Sequence, residues 1–245
     1  MEVTETLLNF DVLAHNDGFA SAVIVAAGRS TRMGGVSKQM LTVGGIPVIA
    51  RTLLAFERSK SIKDIVVVTR ESDILAFQMI AQKYMISKLT DIIVGGDNRE
   101  ESVKNGINRL SDSTEYVLVH DGARPLISVE LIDKVAENCK EHGAVACAVA
   151  VKDTIKEVRD GLIVKTDDRS NLYAMQTPQA FPFRQYKDCI NSVDDLSEFT
   201  DDCAVAESCG VSIRIIDGDY NNIKITTKED VAIAEGILSC KGEEV

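Results

Sequence analysis

Ser21 to Leu41, SAVIVAAGRSTRMGGVSKQML, is an apolar run that breaks abruptly into a small-residue loop holding two arginines and then a lysine. Ala22–Ala26 reads as a buried β-strand. Beyond it, Ala27, Gly28, Ser30, Gly34 and Gly35 let backbone N–H groups approach an anion closely, so that fixed dipoles replace its water. Arg29, Arg32 and Lys38 add cationic donors. This is the layout of a phosphate cradle at the carboxyl end of a strand, where open α/β sheets bind their ligands. Neither GxxxxGKS/T nor GxGxxG occurs in the loop, so it is neither a P-loop nor a dinucleotide fingerprint. Taken alone, it also fits an ordinary glycine-rich βα turn.

Working outward, apolar runs recur at Ile65–Thr69, Asp91–Val94, Tyr116–His120, Ala144–Val151 and Ser212–Asp217. They are mostly continuous rather than alternating, as strands covered on both faces should be. Helical patterns separate them at Pro47–Arg58, Ser72–Lys83, Glu100–Leu110, Ser128–His142 and Lys228–Ser239, the last behind Thr227 with Asp230 in capping-box register. Alternation of this length predicts a mainly parallel sheet in a three-layer, doubly wound α/β domain over residues 19–240. One segment breaks the rhythm: Thr154–Val158 and Leu162–Thr166 are short polar-alternating runs joined at Asp160-Gly161, a pair suited to a tight hairpin turn. An isolated hairpin is barely stable in water, so this arm, at about 152–170, needs a surface to pack on. That surface is either a second copy of the chain or its own domain. Residues 1–18 form an acidic lead-in without an assigned role.

The formal net charge of −11 excludes a general nucleic-acid surface, which needs a basic stripe. No apolar run reaches membrane-spanning length, and the N-terminus lacks the pattern of a signal peptide, so a cytoplasmic protein is expected. The six cysteines show no CxxC and no histidine-rich surroundings, which argues against zinc and for reduced thiols used in packing.

Four clusters carry further chemistry. His120-Asp121-Gly122-Ala123-Arg124-Pro125 ends a strand on a carboxylate that either holds Mg²⁺ beside a triphosphate or caps local amides. Arg124 can pair with a second phosphate, while His120 reads as a packed strand residue rather than a catalyst. Gly95-Gly96 with Ser102 offers hydrogen bonds to a base, and Glu100 and Glu101 equally suit a helix N-terminus. Arg169–Phe181 contains Thr177 held extended before Pro178. Thr200, either a ligand contact or a helix N-cap, and Lys224 complete the set. Concentrating Arg29, Arg32, Lys38, Arg124, Arg169 and Lys224 at loop ends of an acidic chain suits two phosphorylated ligands.

Seven ordered motifs, AAGRSTRM with SKQML, VGGDNREESV, HDGARP, VKDTIK, NLYAMQTPQAF, FTDDCAV and NNIKITTKED, resemble the 2-C-methyl-D-erythritol 4-phosphate cytidylyltransferases from about Ser21 to Leu238. The related ribitol 5-phosphate cytidylyltransferases differ at the Thr177-Pro178-Gln179 and Gly122-Ala123-Arg124 elements. The resemblance implies a nucleotide-diphospho-sugar transferase-like fold, and transfer of a cytidylyl group from CTP to a small polyol phosphate. It implies Mg²⁺ at Asp121 and a homodimer formed through the arm. By the same resemblance Arg32, Lys38, Asp121 and Lys224 are catalytic, and Ala26, Ala27, Gly28, Gly95, Gly96 and Ser102 join Arg32, Lys38 and Asp121 around CTP. Arg124, Thr154, Arg169, Thr177, Thr200 and Lys224 fall to the polyol phosphate, with Thr154 and Arg169 given across the dimer. The loop between Met33 and Lys38 is one residue shorter than the family's common form, which puts the reach of Lys38 in question. A CTP-binding protein without turnover is the competing reading from another class.

Overall fold

The structure, a computed structural model, describes residues 17–28 and 37–242. The lead-in up to residue 16 and the heart of the cradle, with Arg29, Ser30, Arg32, Gly34 and Gly35, lie outside the described residues. In chain order the described residues form β1 (Ala20–Val25), a small hairpin of β2 (Thr42–Val43) and β3 (Ile46–Pro47), α1 (Val48–Arg58), β4 (Ile62–Thr69), α2 (Ile74–Lys83) and β5 (Leu89–Val94). There follow α3 (Arg99–Arg109), β6 (Tyr116–Asp121), α4 (Val129–His142), β7 (Val145–Ala150), β8 (Lys156–Arg159) and β9 (Leu162–Thr166). The chain continues through β10 (Tyr173–Pro182), α5 (Phe183–Ser192), α6 (Asp202–Ser208), β11 (Arg214–Asp217) and α7 (Lys228–Cys240).

Seven strands make one sheet in the order β11-β7-β10-β6-β1-β4-β5. The pairs β1–β4, β1–β6, β4–β5 and β7–β11 are parallel, and β10 runs antiparallel between β6 and β7. Strand β1 shows how the layers arise. Ala20, Ala22 and Ile24 point into a core with Leu53 of α1, Phe77 of α2 and Val135 of α4. Val23 and Val25 point the other way, against Val103 of α3, Ile190 of α5 and Val205 of α6. Every residue of β1 is buried, which is why the strand reads as continuously apolar rather than alternating. A third, smaller core joins Val43 and Val48 to Ala234 and Leu238 of α7, whose N-terminus is closed by Asp230 accepting the Thr227 N–H at 2.8 Å.

Among the described residues the hairpin of β8 and β9 pairs only with itself, and Asp160 (φ 50°) and Gly161 (φ 78°) supply the positive φ angles of its turn. Its apolar side chains Val158, Leu162, Ile163 and Val164 are between 52% and 71% exposed.

One expectation needs correction. Cys189 and Cys209 form a disulfide, so the reading of all six cysteines as reduced packing thiols fails for this pair; Cys139, Cys147, Cys203 and Cys240 are free. The two lie 20 residues apart in sequence without a spacing signal, and the packing of α5 on α6 brings their Cα atoms to 6.0 Å. The segment Tyr173–Pro182, which is not among the apolar runs, is a central strand despite its internal Pro178. The ladder to β7 resolves this with a register shift between Met175 and Gln179 that lifts Gln176, Thr177 and Pro178 out of the pairing.

Candidate active site

Because β1, β4 and β6 are parallel and in register, with Val25 opposite both Val68 and Asp121, their carboxyl ends form one rim. The antiparallel β10 pairs Gln179 with Val119, which carries Thr177 to the same rim. Two pockets open there. The first, of about 220 Å³, is lined by Ala27, Gly28, Lys38, Gly96, Asp97 and Ser102 among others. The second, of about 460 Å³, is lined by Arg124, Gln176, Thr177, Thr200, Asp201 and Glu207 among others. Arg99, Asp121 and Lys224 line both, so the pockets meet at a charged seam.

Asp121 is the centre of that seam. Its Oδ1 accepts from Arg99 Nε at 3.2 Å, and its Oδ2 lies 2.8 Å from Lys224 Nζ and 3.5 Å from Arg124 Nε. Burial alone would raise the pKa of this carboxyl, but the charges of Arg99, Lys224 and Arg124 outweigh burial and hold it well below the ordinary carboxylate range. Its backbone N–H donates to Thr177 Oγ1 at 3.0 Å, and the same hydroxyl lies 3.0 Å from His120 Nδ1. His120 is fully buried against the Phe56 ring, and burial pushes its pKa down to about 3, so it is a neutral packing residue, as its strand position implies.

Behind the first pocket, Gly95 lies where a Cβ would come within 2.5 Å of Ala27 Cβ and 2.7 Å of Ser102 Oγ. Glycine is therefore needed to close β5 against the loop after β1. Ser102 Oγ accepts the Gly96 N–H at 3.1 Å and donates to Asn98 O at 2.8 Å, fixing the loop that opens α3. Gly95 and Ala26 support the pocket from behind rather than line it; Ala26 is buried with its N–H on Val68 O at 2.7 Å. Lys38 begins a short 3-10 turn, Lys38–Met40, and reaches the first pocket despite the shorter loop.

In the second pocket Arg124 donates to Asn222 O at 2.8 Å, and Asn222 in turn donates to Thr177 O at 2.9 Å, which ties the HDGARP loop to β10 and to the segment carrying Lys224. Thr200 lines this pocket, while the N-cap of α6 is Asp201, whose Oδ1 accepts the Ala204 N–H at 2.9 Å. Thr154 and Arg169 line neither pocket. Both are exposed at the base of the arm, where Arg169 donates to Lys152 O at 3.0 Å.

Two residues escaped the sequence reading. Arg99 bridges Asp121 to the buried Asp202, 2.8 Å from its Nη2, across a separation of 103 residues that no local pattern signals. Gln39 lines the first pocket with its Oε1 buried and without a hydrogen-bond partner among the described residues; its place beside Lys38 was the available clue. Among the described residues no three His, Cys, Asp or Glu side chains converge as a metal site, and no helix is long and apolar enough to cross a membrane.

Residues 20–240 match the family model described as 2-C-methyl-D-erythritol 4-phosphate cytidylyltransferase. A protein of that name from Bacillus cereus is 42% identical over 218 residues, covering 88% of this chain and 96% of the relative. One from Clostridium novyi is 42% identical over 221 residues, covering 89% and 95%. Among solved structures, 4-diphosphocytidyl-2C-methyl-D-erythritol synthase from Anaerococcus prevotii superposes with a TM-score of 0.81 at 33% identity, covering 91% of this chain and 97% of that one. The cytidylyltransferase of Francisella tularensis superposes with a TM-score of 0.75 at 29% identity, covering 89% and 98%.

Proposed function

Because the chain belongs to the 2-C-methyl-D-erythritol 4-phosphate cytidylyltransferase family, we infer that it transfers a cytidylyl group from CTP to 2-C-methyl-D-erythritol 4-phosphate, releasing pyrophosphate, in isoprenoid precursor synthesis. The observation that carries the reading is the seam. Two pockets suited to two anions share Arg99, Asp121 and Lys224, which is where a phosphate of one ligand must meet the α-phosphate of the other.

The acceptor phosphate oxygen attacks the α-phosphorus of CTP, and the bond to the bridging oxygen of pyrophosphate breaks. The nucleophile is already anionic, so no general base is needed, which agrees with a seam whose only imidazole, His120, is neutral and sealed from the pockets. The protein's task is to align two anions that repel each other and to neutralise charge as the phosphorane-like transition state forms. Arg32 and Lys38 serve the triphosphate, Lys224 and Arg124 the acceptor phosphate, and Asp121 holds the last two cations in place. Ala27, Gly28, Gly96 and Ser102 take the nucleoside, and Thr177 and Thr200 the polyol.

The residues fit Mg²⁺ held chiefly by phosphate and water: Asp121 is the one carboxylate lining both pockets, and it would be the protein ligand at their junction by sharing the Oδ2 that faces Lys224 and Arg124. The ion would supply further charge neutralisation on the triphosphate. The arm, with its exposed apolar side chains and no strand partner outside itself among the described residues, is the dimerisation element, and Thr154 and Arg169 complete the second pocket of the partner. The enzyme works in the cytoplasm, where its charged substrates are retained.

The test is pyrophosphate release by the purified chain with Mg²⁺ and CTP, comparing 2-C-methyl-D-erythritol 4-phosphate with ribitol 5-phosphate at equal concentration. Preference for the first is expected. Preference for the second would move the chain to polyol activation, and CTP binding without release from either would make it a binding protein.

A further inference from the structure

Arg99 opens α3 at a position where helix electrostatics disfavours a cation, because the N-terminal end of the helix dipole is positive. Its neighbours Glu100 and Glu101 follow the dipole; Arg99 does not. Its guanidinium turns to three carboxylates instead, 3.3 Å from Glu100, 3.2 Å from Asp121 and 2.8 Å from Asp202. Asp202 is wholly buried and lines neither pocket. Its second oxygen accepts the Tyr186 hydroxyl at 2.7 Å, and the Tyr186 ring is stacked on Phe181 with centroids 4.2 Å apart and planes 11° apart. A carboxylate at that depth is sustained only when its oxygens are partnered. A continuous polar chain thus runs from α5 through α6 and α3 to β6, ending on the carboxylate at the seam.

We propose that Tyr186 and Asp202 are positioning residues for the transfer: they set the guanidinium of Arg99 so that its Nε engages Asp121 Oδ1, which leaves Oδ2 to align Lys224 and Arg124 on the acceptor phosphate. Neither residue lines a ligand pocket. Their influence passes through a stiff, stacked ring and a buried carboxylate, so an arginine with several rotatable bonds keeps one orientation. The inference rests on the cytidylyl-transfer reading.

The experiment compares the parent enzyme with Tyr186→Phe, Arg99→Lys and the double variant, measuring kcat, both KM values and Tm. Tyr186→Phe keeps the ring and its stacking and removes only the donor, so it should fold. Its kcat should fall about three- to tenfold with the KM for CTP within about twofold, and Arg99→Lys should cost about ten- to a hundredfold. The double variant should lose no more than Arg99→Lys alone, since both changes cut one chain. A Tyr186→Phe enzyme with parental kcat and only a lower Tm would reduce the chain to a structural prop and overturn the inference, as would losses that multiply. A parent releasing no pyrophosphate would sink the transfer reading itself and this inference with it.

Discussion

The seam around Asp121 and the arm beyond Val151 are opposite solutions to placing polar chemistry on one chain. At the seam, charges sit deep and are matched within the chain: the three cations on Asp121 come from the loop after β6, the start of α3 and the segment after β11. In the arm, apolar side chains face solvent while Thr154 and Arg169, drawn to the substrate by resemblance, stand away from both pockets. Sheet register brings the first group together without help. In the proposed dimer, another subunit brings a pocket to the second group.

The sharpest way to break the seam is Lys38→Ala. Loss of one charge-stabilising donor should lower kcat by about 10²–10³-fold, roughly 3–4 kcal/mol of transition-state stabilisation, with Tm unchanged. A near-parental rate would remove Lys38 from the chemistry. The arm should break differently. Val158→Asp combined with Ile163→Asp adds charge to two exposed positions, so thermal stability of the domain and CTP affinity should hold while sedimentation shows monomers and turnover collapses. Dimers that persist with full activity would place the interface elsewhere.

A smaller effect separates the buried rim from the exposed arm by pH. His120 has a folded pKa of about 3, pushed down from 6.5 by burial, so the unfolded chain binds this proton first as pH falls. Its contribution is complete above the unfolded value and is lost progressively between about pH 6.5 and 3. From pH 7 to 5 it should remove about 1–2 kcal/mol from unfolding free energy, and Asp121 adds its own loss only at lower pH, because its folded pKa is depressed. Urea midpoints for the parent and His120→Asn check this, the variant being flatter across that range.

The sequence made the parallel half of the sheet legible because those strands are buried on both faces and read as unbroken apolar runs; β1 and β6 are the plainest cases. It hid β10, whose Gln176, Thr177 and Pro178 leave the ladder to build the rim, and with it α5 and α6. Asp121, Arg124 and Lys224 were readable as charges stranded at strand ends. The part played by Arg99 was not, since Asp202 lies 103 residues away and the first turn of α3 is equally well explained by its glutamates. The disulfide was hidden for the same reason, being a product of helix packing rather than of spacing.

The central claim is that the seam acts within one subunit and the arm in the other, and mixing two inactive variants tests it most directly. Lys38→Ala and Arg169→Ala chains are co-expressed so that mixed dimers form, and pyrophosphate release is compared with each variant alone. If Arg169 is donated across the dimer, each mixed dimer holds one intact site, and activity should return to roughly a quarter of the parent's for random pairing in a two-fold dimer. If mixed dimers form and activity does not return, Arg169 serves its own subunit or none, and the division of labour between seam and arm is wrong.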